Sequence, residues 1–400
     1  MQGWRRNKGI KGHDRMKLGE LGTFKTGGTP SRSKNEYWGD KYPWISSTAL
    51  GDVYIDENAA TDWVSDEGLK NSSTKLIKAN SLMIGIRIGV GKCSINRIPM
   101  CTSQDVVSIE GIDTERYYLP YITTLINNKR HYLESLKRGA TIQGITTDII
   151  KNLQIPDIQI NRQKLIADTI QVVDDMVCLS HKQLAKLDTL VKSRFIEMFG
   201  DPVTNPMGWE VKPLQEVVAE DCTISYGIVQ TGNPQKEGVP VFRPVDIVGH
   251  YPHIDELKKT TRAISDKYKR TLLHGGELLI TVRANIADTC IIGNEFAGCN
   301  VGRGIVPLRF NPESINKVFL KAQIDNHGVN CALKGLAKGI TLIQLNMEDL
   351  RQFPLIVPPI ALQNQFANFV QLADKSKSVL QKLLEKQELL RAALMQEYFG

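Results

Sequence analysis

The stretch of this chain that most invites a chemical reading is Gly85-Ile-Arg-Ile-Gly-Val-Gly-Lys-Cys93. It looks like a loop that wraps phosphate. Such a loop needs Gly, four residues, then Gly-Lys-Ser/Thr, so that backbone N–H groups surround the phosphate and a hydroxyl holds magnesium. Here the first glycine of the pattern falls on Ile86 and the hydroxyl position on Cys93. The matching stretch of the second half, Thr281-Val-Arg-Ala-Asn-Ile-Ala-Asp288, has no glycine. A strand followed by a glycine turn fits better. Other reactive constellations are missing. No Gly-x-Gly-x-x-Gly opens a helix, and no aromatic follows a Pro-Pro pair after Asn or Asp, as gripping a flipped adenine would need. Pro156-Asp157 lacks the Glu-x-Lys that would complete a nuclease site. Of the histidines His13, His131, His181, His250, His253, His274 and His327, only His250 and His253 are close, in a polar loop. The cysteines (Cys93, Cys101, Cys178, Cys222, Cys290, Cys299, Cys331) are scattered, with neither metal-ligand spacing nor a disulfide framework. With no nucleophile, acid–base pair, metal site or cofactor cradle, a binder is expected.

Its binding groups come in two sets. The first half offers Thr26, Thr29, Arg32, Lys34, Ser46, Ser47, Thr48, Arg87, Lys92 and Gln104. The second offers Gln230, Thr231, Arg243, Lys258, Lys259, Arg262, Arg283, Asn285 and Arg303. Arg, Asn and Gln can make bidentate contacts to base edges, while Lys, Ser and Thr hold phosphates. Arg87 and Arg283 each end or follow an apolar strand, so they are expected at equivalent places.

The elements that must position these residues are written twice. Residues 160–200 and 360–400 align without a gap at a shift of 200 places, with 12 identities in 41 positions. Among the identities are Gln163 with Gln363, Ala167 with Ala367, Asp174 with Asp374 and Phe199 with Phe399. A half-chain repeat of this kind sets the architecture. Each copy reads as one long helix with a narrow apolar seam. In the first the seam is Ile166, Ile170, Val173, Val177, Ser180, Leu184, Leu187, Val191, Arg194 and Met198. In the second it is Phe366, Phe369, Ala373, Ser376, Leu380, Leu383, Gln387, Leu390 and Leu394. No Pro or Gly interrupts either run. A rod of about 57 Å follows at 1.5 Å per residue, too charged to cross a membrane. Two equivalent helices in one chain are most simply paired antiparallel about a pseudo-twofold axis.

Ahead of each helix lies a mixed block. In the first, Thr26-Gly-Gly-Thr-Pro-Ser31 is a glycine-rich turn, Tyr42–Ile45 and Leu82–Ile88 are strands, and Tyr117–Glu134 is helical. In the second, Val239–Pro244 and Glu277–Arg283 take the places of those strands, and Gly339-Ile-Thr341 echoes Gly139-Ala-Thr141. The formal charge of +7 permits a polyanion partner without demanding one. The odd, unpaired cysteine count suits a reduced, cytoplasmic protein. Met1–Arg15 is a basic arm without the apolar run of a signal peptide.

The order of block, helix, block, helix resembles the specificity subunit of type I restriction–modification systems. So do the lead-in phrases Ile155-Pro-Asp-Ile-Gln-Ile-Asn-Arg-Gln163 and Val357-Pro-Pro-Ile-Ala-Leu-Gln-Asn-Gln365, and the openings Leu18-Gly-Glu-Leu-Gly22 and Trp209-Glu-Val-Lys-Pro-Leu214. Asp157 departs from the family, which continues there with apolar residues and prolines. The resemblance implies an α+β chain: two mixed α/β target recognition domains joined by two long antiparallel coiled-coil helices in a pseudo-twofold internal repeat. Its parts would be a basic arm (1–15), a first recognition domain (16–155), a central helix (156–200), a second recognition domain (201–355) and a C-terminal helix (356–400). It further implies double-stranded DNA as ligand, two modification subunits carrying S-adenosylmethionine, and restriction subunits using ATP and Mg2+, with no cofactor on this chain. A single-chain nuclease or methyltransferase, or a coiled-coil scaffold with no DNA role, stays as the alternative.

Overall fold

The computed structural model describes residues 15–138, 143–233, 235–247, 251, 253–339 and 343–399. The expected basic arm, apart from Arg15, therefore lies outside the described residues, as do His13, His250 and Gly139–Thr141.

The repeat becomes two helices of equal length. Ile160–Phe199 (the central helix) and Ile360–Phe399 (the C-terminal helix) each run unbroken for 40 residues, about 60 Å at 1.5 Å per residue. Both are pinned at their start by the same buried glutamine. Gln163 accepts the Tyr118 N–H at 2.8 Å and donates to the carbonyls of Arg116 and Ile158 at 3.0 and 2.8 Å. Gln363 accepts the Asn316 N–H at 2.9 Å and donates to the carbonyls of Ser314 and Pro358 at 3.2 and 2.7 Å. Each side chain closes three backbone groups that burial would otherwise leave unpaired.

The chain divides into two compact units, and the division cuts through both long helices. One unit holds the chain up to Ser180 together with the stretch from Leu383 onward; the other holds His181–Lys382.

In the first unit a five-stranded sheet runs in the order Thr23–Thr26, Val106–Glu110, Leu82–Gly85, Cys93–Asn96, Tyr54–Ile55. A four-stranded sheet runs Asp62–Val64, Trp38–Ile45, Met100–Thr102, Leu76–Ile77. The helical stretch expected over Tyr117–Glu134 is two helices, Leu119–Asn128 and Arg130–Ser135, separated at Lys129. Ile84, Val107, Tyr121 and Leu125 share one core with Ile166 and Ile170 of the central helix and Met395 and Phe399 of the C-terminal helix. The Phe399 ring lies 5.6 Å from that of Tyr121. Along the seam, Ser180 donates to Gln387 Oε1 at 2.9 Å, and Arg391 pairs with Asp174. Two of the four polar exceptions in the expected seams, Ser180 and Gln387, thus satisfy each other.

The second unit repeats the plan with smaller sheets: Lys258–Thr260, Val239–Phe242, Asn300–Val301, and Thr289–Ile291, Leu278–Thr281, Ile305–Leu308. Trp44 pairs in parallel with Cys101 in the first unit, and Val241 with Asn300 in the second. Phe195 stacks on Phe319, and Phe195 and Phe199, at the end of the central helix, meet Phe366 at the start of the C-terminal helix edge to face. Lys377 meets Asp188 at 2.6 Å. Within each unit one number rises as its partner falls, so the helix segments pair antiparallel.

The central seam is met: each expected position from Ile166 to Met198 is buried or half-buried. The C-terminal seam is corrected. Ser376, Leu383 and Leu390 face solvent, while Val370, Lys377 and Leu384 turn inward. The seven-residue repeat itself holds, since Phe366, Ala373, Leu380, Gln387 and Leu394 all stay on the face; the intervening positions lie four residues on rather than three, as they do in the central helix.

Candidate nucleic-acid interface

In the first block the glycine-rich turn is set by packing. A Cβ on Gly27 would stand 2.1 Å from Thr102 Oγ1, and one on Gly28 2.5 Å from the Ser73 carbonyl. The turn carries Thr26, exposed at a strand end, and Thr29, whose hydroxyl donates to Gln104 Oε1 at 2.6 Å. Arg32 lies over the Trp38 ring, 3.8 Å from its centroid, and pairs with Asp62 at 2.5 Å. Lys34 donates to the Tyr37 hydroxyl at 2.9 Å. Ser46 and Thr48 bond each other at 2.6 Å, whereas Ser47 is buried.

The loop that resembled a phosphate cradle closes on itself. The Gly85 N–H reaches the Lys92 carbonyl, the Gly91 N–H the Gly85 carbonyl and the Lys92 N–H the Gly89 carbonyl, at 2.9, 2.9 and 3.0 Å. Those amides are spent inside the turn. Gly89 and Gly91 hold positive φ, and Lys92 folds back along Gly89. The second block builds the same turn without glycine: Thr281 and Ala287 repeat the first two bonds, at 2.9 Å each, and Ala284 and Ala287 accept positive φ. The sequence pattern hid this likeness.

In the second block Gln230 is exposed and Thr231 half-exposed, its carbonyl accepting the Thr260 hydroxyl at 2.7 Å. Arg243 is engaged by Asp246 through Nε at 2.9 Å and Nη2 at 2.5 Å, and the carboxylate raises its pKa further. Lys258 and Lys259 lie on one strand, and Arg262 begins the short helix that follows. Asn285 and Arg303 are exposed. Lys258, Lys259, Arg262, Arg283 and Arg303 have no carboxylate partner among the described residues.

Arg87 and Arg283 do stand at equivalent places. Ile86 and Val282, one residue earlier, donate to the carbonyls of Asp105 and Gly304 at 2.9 and 2.8 Å, and accept from Ile145 and Leu345 at 2.8 and 2.9 Å. Their surroundings differ. Arg87 pairs with Asp105 at 3.2 Å; Arg283 donates to Gln344. The partners Asp62, Asp105, Asp246 and Gln344 were not singled out from sequence. Only Asp246 lies close along the chain to the arginine it holds.

A family model for the type I restriction modification DNA specificity domain matches residues 11–189 and 206–391. The MjaIX specificity subunit of a type I restriction enzyme from Methanocaldococcus jannaschii is 23% identical, over 98% of this chain and 93% of that one. The EcoR124I/EcoR124II specificity subunit from Escherichia coli is 30% identical over 40% of each chain. Among solved structures, the type I S subunit from M. genitalium has a similar fold, with a TM-score of 0.58 at 14% identity, covering 99% of this chain and 98% of that one. A chain from a structural study of assembly and conformational transition in the type I R-M system gives 0.62 at 18% identity, covering 98% and 99%.

Proposed function

The chain belongs to the type I restriction modification DNA specificity family and is a DNA-recognition subunit rather than a catalyst; we propose that its two blocks, residues 16–155 and 201–355, each read one half of a split duplex site. The observation that carries this is the repetition of one positioning device. Both blocks are tied to a long helix by the same three-bond glutamine, Gln163 and Gln363. Both present an arginine just beyond an equivalent buried strand, Arg87 after Leu82–Gly85 and Arg283 after Leu278–Thr281. Lysines and arginines hold the phosphates and make binding sensitive to salt. Side chains at base edges supply the choice of sequence. The paired helices set the unread gap between the half-sites, as dimer spacing does for two-fold binders.

Two modification subunits dock on the helices in this reading. Apolar residues stay exposed at matching positions of both: Val172 and Leu372, Leu179 and Val379, Leu190 and Leu390. That offers one docking surface twice. The modification subunits bring S-adenosylmethionine and flip the target base; restriction subunits bring ATP and Mg2+. The assembly acts in the cytoplasm; among the described residues no helix is long and apolar enough to cross a membrane.

The test is methylation mapping in cells that carry this chain with its modification subunit. Replacing residues 16–155 by the corresponding block of another family member should change one half of the methylated site and leave the other. A change in both halves, or methyl transfer by the purified chain alone, would defeat the reading.

A further inference from the structure

The two equivalent arginines sit in reciprocal settings. In the first block the position opposite the arginine is Gly144. A Cβ there would stand 2.8 Å from Arg87 Cγ, so only glycine lets the side chain lie across it. Arg87 then reaches Asp105 at 3.2 Å, and the pair is neutral. In the second block both neighbours are exchanged. Gln344 takes the place of Gly144, pairs with Arg283 across a backbone bridge and accepts from its guanidinium. Gly304 takes the place of Asp105, so the carboxylate is gone. Arg303, beside Gly304, takes the place of Gln104 and adds a second positive charge.

Nothing among the described residues neutralises this pair: neither Arg283 nor Arg303 has an ion-pair partner. Partial burial first, and the Arg303 charge second, hold the Arg283 guanidinium below its ordinary pKa range. Gln344 is neutral and fixes the orientation of Arg283 without cancelling its charge. Arg283 follows the strand Leu278–Thr281, and Arg303 lies in the turn before its partner strand Ile305–Leu308, where a Cβ on the adjoining Gly304 would lie 3.5 Å from Arg283 Cβ. Two such guanidiniums, one held in place and neither matched by an acid, suit a single anion with several acceptor oxygens. On a duplex that anion is the phosphodiester.

We propose that Arg283 and Arg303 together seat one backbone phosphate of the DNA, and that the equivalent Arg87, held by Asp105, seats none. The two blocks then contribute unequally to the salt-dependent part of binding, although they share a fold. This rests on the DNA-reading function proposed above.

The experiment is a salt titration of binding by the full chain to duplex of arbitrary sequence, where phosphate contacts persist and base reading does not. Removing one phosphate contact lowers the slope of log K against log salt by roughly 0.9. Arg283→Ala and Arg303→Ala should each lower it by about that much, and Arg283→Lys should retain it. Arg87→Ala should leave it unchanged. Asp105→Asn, which releases Arg87, should raise it, and misfolding cannot imitate that gain. Unchanged slopes for Arg283→Ala and Arg303→Ala would overturn the proposal, as would an equal fall for Arg87→Ala. So would a loss confined to the specific site with the slope intact, which marks a base-edge contact. No salt-dependent binding by the unaltered chain would defeat the DNA reading itself, and this proposal with it.

Discussion

Gln163→Glu should turn a silent structural bond into a pH-dependent one. The substitution keeps shape and volume but replaces the amide nitrogen by an oxygen. That nitrogen now donates to the carbonyls of Arg116 and Ile158 at 3.0 and 2.8 Å, in a site where the side chain is 1% exposed. A carboxylate there would face two carbonyl oxygens with no proton to offer. Burial and the two carbonyls both favour the protonated acid, whose O–H can still donate to one of them. The folded-state pKa is therefore raised above the ordinary glutamate value of about 4.3. The sign follows: stability is fully present below that value and is lost as pH rises through the higher folded one. A rise of about 2–3 units amounts to roughly 3–4 kcal/mol by neutral pH. Urea unfolding midpoints, measured below the ordinary glutamate pKa and again near neutrality, should fall modestly below the parent in acid, where one carbonyl is left unpaired at a cost of about 1–3 kcal/mol, and much further below it at neutral pH. Gln363→Glu should behave alike, because its three partners are equivalent. A variant whose deficit is the same at both pH values would show that the glutamine bonds are not what pins the helix.

Phe399→Ala and Phe199→Ala should each cost about 3–5 kcal/mol, but in different places. Hydrogen exchange should quicken in Leu119–Asn128 for the first and in Lys317–Asp325 for the second; the reverse pattern would refute the assignment of the helix ends. Glu110 is largely buried, which opposes its charge, but Lys25 at 2.7 Å and the Lys78 N–H at 2.9 Å outweigh burial and lower its pKa. Its contribution is present above the unfolded value of about 4.3 and lost as pH falls through the folded one, so the stability gap between the parent and Glu110→Gln should close on acidification. Matched four-residue helical insertions after Leu187 and Leu380 add about 6 Å at 1.5 Å per residue. They should lengthen the unread gap by one or two base pairs, at about 3.4 Å each, with both half-sites unchanged on methylation mapping.

The helices were legible because their cause is local and repeated. Twelve identities at one shift name the copies, and the shared Gln163 and Gln363 mark an interaction before its partners are known. Ser180 and Gln387 showed in the seams as polar exceptions, and only the fold shows that they answer each other. The seam positions Ser376, Leu383 and Leu390 were misplaced because the period leaves the phase open: both flanks of the 366–373–380 line carry leucines, and the inward flank includes Lys377, which its charge disguised. The candidate interface was legible as residue types and no further. Whether an arginine is available depends on acids brought from elsewhere: Asp62 reaches Arg32 and Asp105 reaches Arg87 through strand pairing. The likeness of the 85–92 and 281–288 turns stayed hidden because alanine at positive φ does the work of glycine.

The way the units divide has a consequence for synthesis. His181–Lys382 is continuous in sequence, so everything its core needs is present once Lys382 has left the ribosome. The first block is made earlier but finished later. Ile166 and Ile170 wait for Met395 and Phe399, whose contacts span more than half of the chain. Such distant closures are slow, and the apolar surface they leave open is prone to association. Order of manufacture and order of completion are therefore inverted. Released chains that end at Lys382 should hold a finished second unit and a first unit that still depends on chaperones.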